Sequence, residues 1–171
     1  MSTHQPLLME LASCVVFIVI AFATRATLSR IVAALVGGAV AASVAIGADS
    51  IAYSLAWWHY PAVTTPFGPL FVYVAIFFGW GAGFALIGWR LTRRFGWRGQ
   101  FATILFVSLC GPARDYAIAT LSPGLIVFGA GIKPIIGDAL CWATVIGVAQ
   151  GSMRIIAGPA RHDQLARTAA M

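Results

Sequence analysis

The chain has 171 residues, of which 60% are hydrophobic and only 9% are charged, whereas soluble globular domains carry about 25% charged residues. This composition excludes an ordinary soluble domain and indicates an integral membrane protein. The formal net charge of +6 does not point to nucleic acid, because the basic residues lie at the ends of apolar segments and form no basic amphipathic stripe.

Five apolar segments are long enough to cross a bilayer, for which a helix needs about 20 apolar residues. We therefore predict one all-α domain over 1–171, a polytopic transmembrane bundle of five spanning helices. The predicted helices cover residues 7–24, 31–57, 70–89, 101–121 and 134–156. The apolar stretch 122–131 is too short to span, so it either lies on the outer surface or re-enters the membrane.

Small residues mark two candidate packing faces in this bundle. One runs along the second helix, and a GxxxG step formed by Gly147 and Gly151 lies on the fifth. Small residues let helices approach closely in a membrane, so the GxxxG step predicts either an internal or an intermolecular contact. The predicted face of the second helix comprises Ala34, Gly38, Ala42 and Ala45.

The connections between these segments alternate in charge. "RATLSR" and "RLTRRFGWRG" are basic, as is the tail 158–171, whereas "HYPAVTTPFGP" and "SPGLIVFGAGI" contain no Lys or Arg. By the positive-inside rule, this alternation predicts an outer N-terminus and a cytoplasmic C-terminus in a bacterial inner membrane.

Carboxylates inside the predicted helices are the main functional signal. Of the five carboxylates, Glu10, Asp49, Asp115 and Asp138 fall in four different helices, in the same outer third of the bilayer as Arg114. A charged side chain near the bilayer centre costs about 2.5–3.5 kcal/mol, so such residues usually face the bundle interior. We expect a polar cavity near the outer face; alternatively, the charges only pair to hold helices together.

Neither a metal nor a cofactor is expected. The three cysteines have no paired spacing, and His59 is the single histidine outside the two terminal tails. No P-loop, G-x-S-x-G, H-E-x-x-H or C-x-x-C motif occurs, so ATP-driven and hydrolase chemistry have no support.

The stretch "GADSIAYSLAWWHYP", residues 47–61, resembles a signature of the integral-membrane lycopene-cyclase-type domain of carotenoid biosynthesis. That family often ends a helix with an aspartate, followed by a tryptophan nine residues on and a tyrosine two later, which Asp49, Trp58 and Tyr60 match. The family's next loop carries a Pro-Leu-Glu-Glu stretch, whereas this chain reads "TTPFGPLFVYV" and lacks the acidic pair. The resemblance implies cyclase chemistry on a polyene.

Acid-initiated cyclisation needs a protonated carboxyl in an apolar pocket and aromatic faces that stabilise a cation. The candidate catalytic acids are Asp49, Asp115, Asp138 and Glu10. The candidate substrate-binding residues are Arg114, Tyr53, Trp57, Trp58, Tyr60, Tyr116 and Trp142. The alternative interpretation of the interfacial tryptophans is an aromatic belt at the membrane surface.

Our leading hypothesis is a small integral membrane enzyme that cyclises or isomerises an isoprenoid or carotenoid-like, lipid-soluble substrate. Its expected partners are the bilayer and a hydrophobic small molecule, with no nucleic acid. The alternatives are a substrate-binding membrane subunit of a solute uptake system and an accessory structural subunit of a membrane complex. A homo-oligomer and a partner membrane subunit both stay open.

Overall fold

A computed structural model of the chain describes residues 4–122 and 124–160, and the predicted all-α helical bundle is confirmed. The five helices are α1 (His4–Ala23), α2 (Leu28–Ser54), α3 (Leu70–Phe95), α4 (Trp97–Leu121) and α5 (Ile132–Ala157). Two short strands, β1 (Trp58–His59) and β2 (Val127–Phe128), join the α2–α3 connection to the α4–α5 connection.

Helices α2 to α5 are long and apolar enough to cross a membrane, and the apolar part of α1, Leu7–Ala23, is shorter. Helix α3 continues to Phe95, beyond the predicted end at residue 89, because its backbone stays helical through the basic segment until Gly96. Gly96 has a φ of 63°, a left-handed conformation that ends the helix. The predicted orientation stays a prediction, and the basic tail from residue 161 onward lies outside the described residues.

The bundle is organised around α2. Three residues of the predicted small-residue face, Ala34, Gly38 and Ala45, are buried there, and Ala42 is partly buried. At Gly37 a Cβ would lie 2.6 Å from the Ala149 carbonyl oxygen of α5, and at Gly38 it would collide with the Phe77 carbonyl of α3. These glycines therefore allow α2 to pack closely against two helices at once.

The middle of α3 is a π-helical segment, Ile76–Gly83, flanked by α-helical turns. Gly81 in this segment faces α2, because a Cβ there would lie 2.8 Å from the Cα of Gly38. Such wide turns are rare and often occur at functional sites. Here the segment carries Ile76 and Trp80, which both reach the site described below.

We call the two ends of the bundle the strand end and the basic end. At the strand end β1 and β2 pair antiparallel, with Trp58 opposite Phe128 and His59 opposite Val127. Residues 124–131 therefore contribute a strand, and their predicted position at the outer surface or re-entering the membrane stays a prediction. At the basic end, Arg30 near the start of α2 donates to the Gly158 carbonyl that follows α5 (2.7 Å).

The GxxxG step on α5 makes no close contact with another helix among the described residues. A Cβ built on Gly147 or Gly151 meets nothing within 4 Å. Within the part of the chain that the structure describes, this step is therefore free for the intermolecular alternative, while the close internal contacts of α2 use other glycines.

We predict that Gly38→Ala destabilises the bundle by about 1–3 kcal/mol, because the new Cβ overpacks against α3. Thermal or denaturant unfolding of the detergent-solubilised protein measures this effect. The matched control is Gly47→Ala in the same helix, where a Cβ meets nothing within 4 Å, so stability should stay equal or rise. Equal stability of Gly38→Ala and the wild type would contradict the packing described here.

Candidate functional site

A cavity of about 60 Å³ lies at the strand end, and charged side chains from three helices line it. Asp49 comes from α2, Arg114 and Asp115 from α4, and Asp138 from α5. The structure thus brings together three of the four predicted acids and the predicted arginine. The rest of the wall is mostly apolar or aromatic: Met9, Ala45, Trp58, Tyr60, Val72, Ala75, Ile76, Ile118, Leu125, Ile126, Cys141 and Trp142.

Asp49 is buried and accepts hydrogen bonds from three aromatic side chains. The indole Nε1 of Trp58 donates to Oδ1 (2.9 Å), and the hydroxyls of Tyr60 and Tyr73 donate to Oδ1 (3.4 Å) and Oδ2 (2.6 Å). The Tyr73 hydroxyl in turn accepts from the backbone N–H of Gly68 (2.6 Å). We call Asp49, Trp58, Tyr60 and Tyr73 the Asp49 cluster; it ties α2, β1 and α3 together.

The Asp49 cluster gives a physical reason for the sequence spacing of Asp49, Trp58 and Tyr60. Trp58 and Tyr60, nine and eleven residues after Asp49, both reach its Oδ1 because β1 folds back beside α2. Gly68 is also required, since a Cβ there would lie 2.9 Å from the Tyr60 ring and 3.3 Å from Asp49 Oδ2. The sequence pattern therefore encodes a hydrogen-bonded structure.

Tyr60 lies in the connection after β1, outside the helices. Burial, together with the negative charge of Asp49, raises the pKa of the Tyr60 hydroxyl well above its ordinary value. The hydroxyl therefore keeps its proton at all physiological pH values and acts as a donor toward Asp49.

Asp115 has a different set of partners. Its Oδ1 lies 3.2 Å from Nη2 of Arg114, and the indole Nε1 of Trp142 donates to its Oδ2 (2.8 Å). The Arg114 guanidinium also lies over the rings of Trp80 (5.1 Å to the centroid) and Trp142 (5.6 Å). Gly111 makes this arrangement possible, because a side chain there would collide with the Trp142 indole.

Among the three carboxyls around the cavity, Asp138 has fewer hydrogen-bond partners than Asp49 and Asp115. It is 5% exposed, and its Oδ2 is buried without a hydrogen-bond partner among the described residues. The Nη1 atom of Arg114 is likewise buried and unsatisfied. Buried polar atoms without partners are rare in folded proteins, so an unsatisfied acceptor and an unsatisfied donor around one cavity mark a candidate site.

Four of the predicted site residues lie elsewhere in the structure. Tyr53 is in the last turn of α2 and 49% exposed, and Glu10 is half-buried but does not line the cavity. Trp57 packs on Gly137, where a Cβ would meet its ring at 2.5 Å, and Tyr116 stacks on Phe128 with ring centroids 4.0 Å apart. Tyr53, Trp57 and Tyr116 are close in sequence to Asp49 or Asp115, but they do not line the cavity.

Sequence reasoning missed Tyr73 and Trp80. Tyr73 lies in the first turns of α3, soon after Pro69, and Trp80 lies in the π-helical segment. A polar aromatic residue early in a spanning helix was a usable signal for Tyr73. Trp80 reaches Trp142 (4.9 Å between ring centroids) from the π-helical segment, which periodicity does not predict.

Among residues 4–122 and 124–160, no group of three or more His, Cys, Asp or Glu side chains could hold a metal ion.

Comparison with known proteins adds no relative: no family model, no curated protein and no solved structure matches the chain.

We predict that Asp49→Ala destabilises the protein by at least about 2 kcal/mol, because it strands the buried donors of Trp58 and Tyr73. Tyr73→Phe should cost about 1–3 kcal/mol, since it removes one donor to Asp49 and the acceptor for the Gly68 N–H. Denaturant titration in detergent micelles measures both. The control is Ser54→Ala, an exposed residue of the same helix, and similar stability of all variants would contradict the role of the Asp49 cluster.

Proposed function

We propose that the chain is a small integral membrane enzyme of the bacterial inner membrane that performs acid-initiated isomerisation or cyclisation on an isoprenoid or carotenoid-like substrate. Asp138 is the proton donor in this proposal. The observation that carries it is the buried Asp138 carboxyl, whose Oδ2 has no partner among the described residues, in a cavity with mostly apolar and aromatic walls.

The three carboxyls have different roles because their partners differ. Hydrogen bonds and a neighbouring cation favour the ionised form of a carboxyl. Asp49 receives hydrogen bonds from Trp58 and Tyr73, and Asp115 has the Arg114 cation and a hydrogen bond from Trp142. Asp138 has no such support at Oδ2. A carboxylic acid that stays neutral in an apolar site is the form that a general acid requires.

The proposed reaction conserves the substrate's formula. The Asp138 proton adds to one carbon of a terminal C=C bond, and the adjacent carbon becomes a cation. For isomerisation, a neighbouring carbon then loses a proton; for cyclisation, a second C=C bond first attacks the cation and a proton leaves afterwards. In both cases the Asp138 carboxylate takes the proton back.

The surroundings of Asp138 suit a transient cation. Asp49 and Asp115, which the proposal takes to be ionised, lie around the same cavity, together with the aromatic faces of Trp58 and Trp142. Negative charges and aromatic faces fixed in place before the reaction stabilise developing positive charge. The positive charge of Arg114 is balanced by Asp115, 3.2 Å away.

The cavity's volume limits how the substrate binds. Its 60 Å³ is well below the roughly 300–1,000 Å³ of pockets that enclose a whole small molecule. We propose that only the end of the isoprenoid chain enters, while the remainder lies between the helices and the lipid. This arrangement suits chemistry at a terminal double bond.

The second candidate function is a substrate-binding membrane subunit of a solute uptake system. Three carboxyls against one guanidinium around the cavity favour a small organic cation as the solute. A purely structural subunit explains the Asp49 cluster and the Arg114–Asp115 pair, but it gives no reason for an Asp138 oxygen without a partner.

The proposal is tested by incubating the protein with lycopene in proteoliposomes made in D₂O. We expect a product isomeric with lycopene that carries deuterium from the exchanged Asp138 carboxyl. Asp138→Asn should lower the rate by about 10²–10⁴-fold, the usual contribution of a general acid, and Asp138→Glu should retain part of it.

The control variant is Thr144→Val, on the exposed side of the same helix, which should react like the wild type. Unchanged turnover in a folded Asp138→Asn variant would rule out Asp138 as the acid. Mass spectrometry of molecules that co-purify with the protein separates the two functions: an organic cation, with no deuterium entering lycopene, would replace the enzyme proposal by the solute-binding one.

A further inference from the structure

A second and larger cavity lies at the basic end, away from the carboxyls. Its volume of about 400 Å³ falls within the range of small-molecule sites, unlike the cavity around Asp138. The cavity lies where α2 and α4 begin and where α3 and α5 end. Its lining includes Arg30, Ala85, Trp89, Gln150, Met153 and Arg154.

The charged groups of this cavity are cationic. Arg30 and Arg154 line it, and none of its lining residues in the described part of the chain is a carboxylate. The guanidinium of Arg93 lies 5.4 Å from the centroid of the Trp89 ring, so its positive charge lies next to the wall in addition to that of Arg154. Such a site favours an anion.

Arg30 also fixes the shape of the cavity. Its Nη1 donates to the Gly158 carbonyl (2.7 Å) and its Nη2 to the Pro159 carbonyl (3.3 Å). These bonds hold the residues after α5 against the start of α2. Arg154, by contrast, is exposed and has room to reach a ligand at the cavity mouth.

Two buried neutral side chains in the wall carry polar atoms without hydrogen-bond partners in the described part of the chain. Gln150 is 7% exposed, and neither its Nε2 nor its Oε1 has a hydrogen-bond partner among the described residues. The Nε1 of Trp89, which is 5% exposed, is also unsatisfied. Leaving a buried polar group unsatisfied is unfavourable, so two such side chains beside one cavity indicate a polar ligand.

The neighbouring helix leaves room for the Gln150 amide. Gly88 of α3 faces it, and a Cβ at that position would collide with the amide of Gln150. The side chain is therefore accommodated in the interior by a residue without a side chain. The absence of a side chain at Gly88 therefore lets the Gln150 amide occupy the interior beside the cavity.

We propose that this cavity binds the phosphate-bearing headgroup of an anionic membrane lipid that also carries a hydroxyl. Arg154, Trp89 Nε1 and Gln150 Nε2 supply donors for phosphate oxygens, and guanidinium groups suit phosphate particularly well. The remaining acceptor, Gln150 Oε1, accepts from the headgroup hydroxyl. Ala85 and Met153 provide an apolar wall, and the 72% exposed Trp97 suits a membrane interface.

The position of the cavity favours a lipid over a soluble phosphate. It opens at the end of helices that are long enough to span a bilayer, where lipid headgroups lie. Basic pockets between spanning helices are typical binding sites for anionic headgroups. The proposal is independent of the chemistry at Asp138, because the two cavities share no lining residue.

The test uses native mass spectrometry of the full-length protein, released from detergent and titrated separately with phosphatidylglycerol, phosphatidylcholine and inorganic phosphate. We expect one tightly bound phosphatidylglycerol and little retained phosphatidylcholine, whose headgroup offers no hydroxyl. Inorganic phosphate should compete only at much higher concentration. Equal binding of both lipids would overturn the proposal, and inorganic phosphate binding as tightly as the lipid would overturn its lipid component.

Two variants connect the binding to this cavity. Arg154→Ala and Gln150→Leu should each weaken phosphatidylglycerol binding by about tenfold, which corresponds to one lost charge-assisted or buried hydrogen bond. Arg98→Ala removes an exposed arginine that does not line the cavity and should change the affinity by less than about twofold. Wild-type affinity in the folded Arg154→Ala variant would overturn the proposal.

Asp138→Asn separates this proposal from the proposed function. It should leave phosphatidylglycerol binding unchanged, because Asp138 lines only the cavity at the strand end. Loss of lipid binding in this variant would contradict the independence of the two sites.

Discussion

The hydrogen bonds that Asp49 accepts are the interaction on which the rest of the strand end depends. A carboxylate inside an apolar bundle must be compensated, and here Trp58, Tyr60 and Tyr73 compensate it. By doing so they fasten β1 and the start of α3 to α2. Because β2 pairs with β1, the same bonds hold Leu125 and Ile126 over the cavity. The position of the residues that cover the site therefore depends on the hydrogen bonds of Asp49.

That constraint also explains how one residue type takes different roles within a small volume. Asp49 accepts hydrogen bonds from three aromatic side chains, whereas Asp115 pairs with Arg114 and accepts a hydrogen bond from Trp142. Asp138, in the same cavity, keeps an oxygen without a partner among the described residues. In the proposed function, the carboxyl that contributes least to holding the helices together carries out the chemistry, and the neighbouring carboxyls and aromatic rings stabilise positive charge.

Much of this arrangement was predictable from the sequence, since apolar length gave the helices and small residues gave the packing face of α2. Helical rise placed Glu10, Asp49, Asp115 and Asp138 at one level, but Glu10 does not line the cavity. The spacing of Trp58 and Tyr60 marked the Asp49 cluster. The strand pair, the π-helical segment and the basic-end cavity were not predictable. They depend on contacts between distant residues, such as Gln150 against Gly88, which leave no periodic signal.

Our central claim is that Asp49 and Asp115 are ionised, whereas Asp138 carries a proton. Infrared difference spectroscopy of the protein in lipid, with exchange from H₂O to D₂O, tests it most directly through the C=O stretching band of a protonated carboxyl. We expect this band in the wild type and in the Asp49→Asn and Asp115→Asn variants, and its loss in Asp138→Asn. A band that persists in Asp138→Asn, or that disappears in Asp49→Asn, would contradict the account.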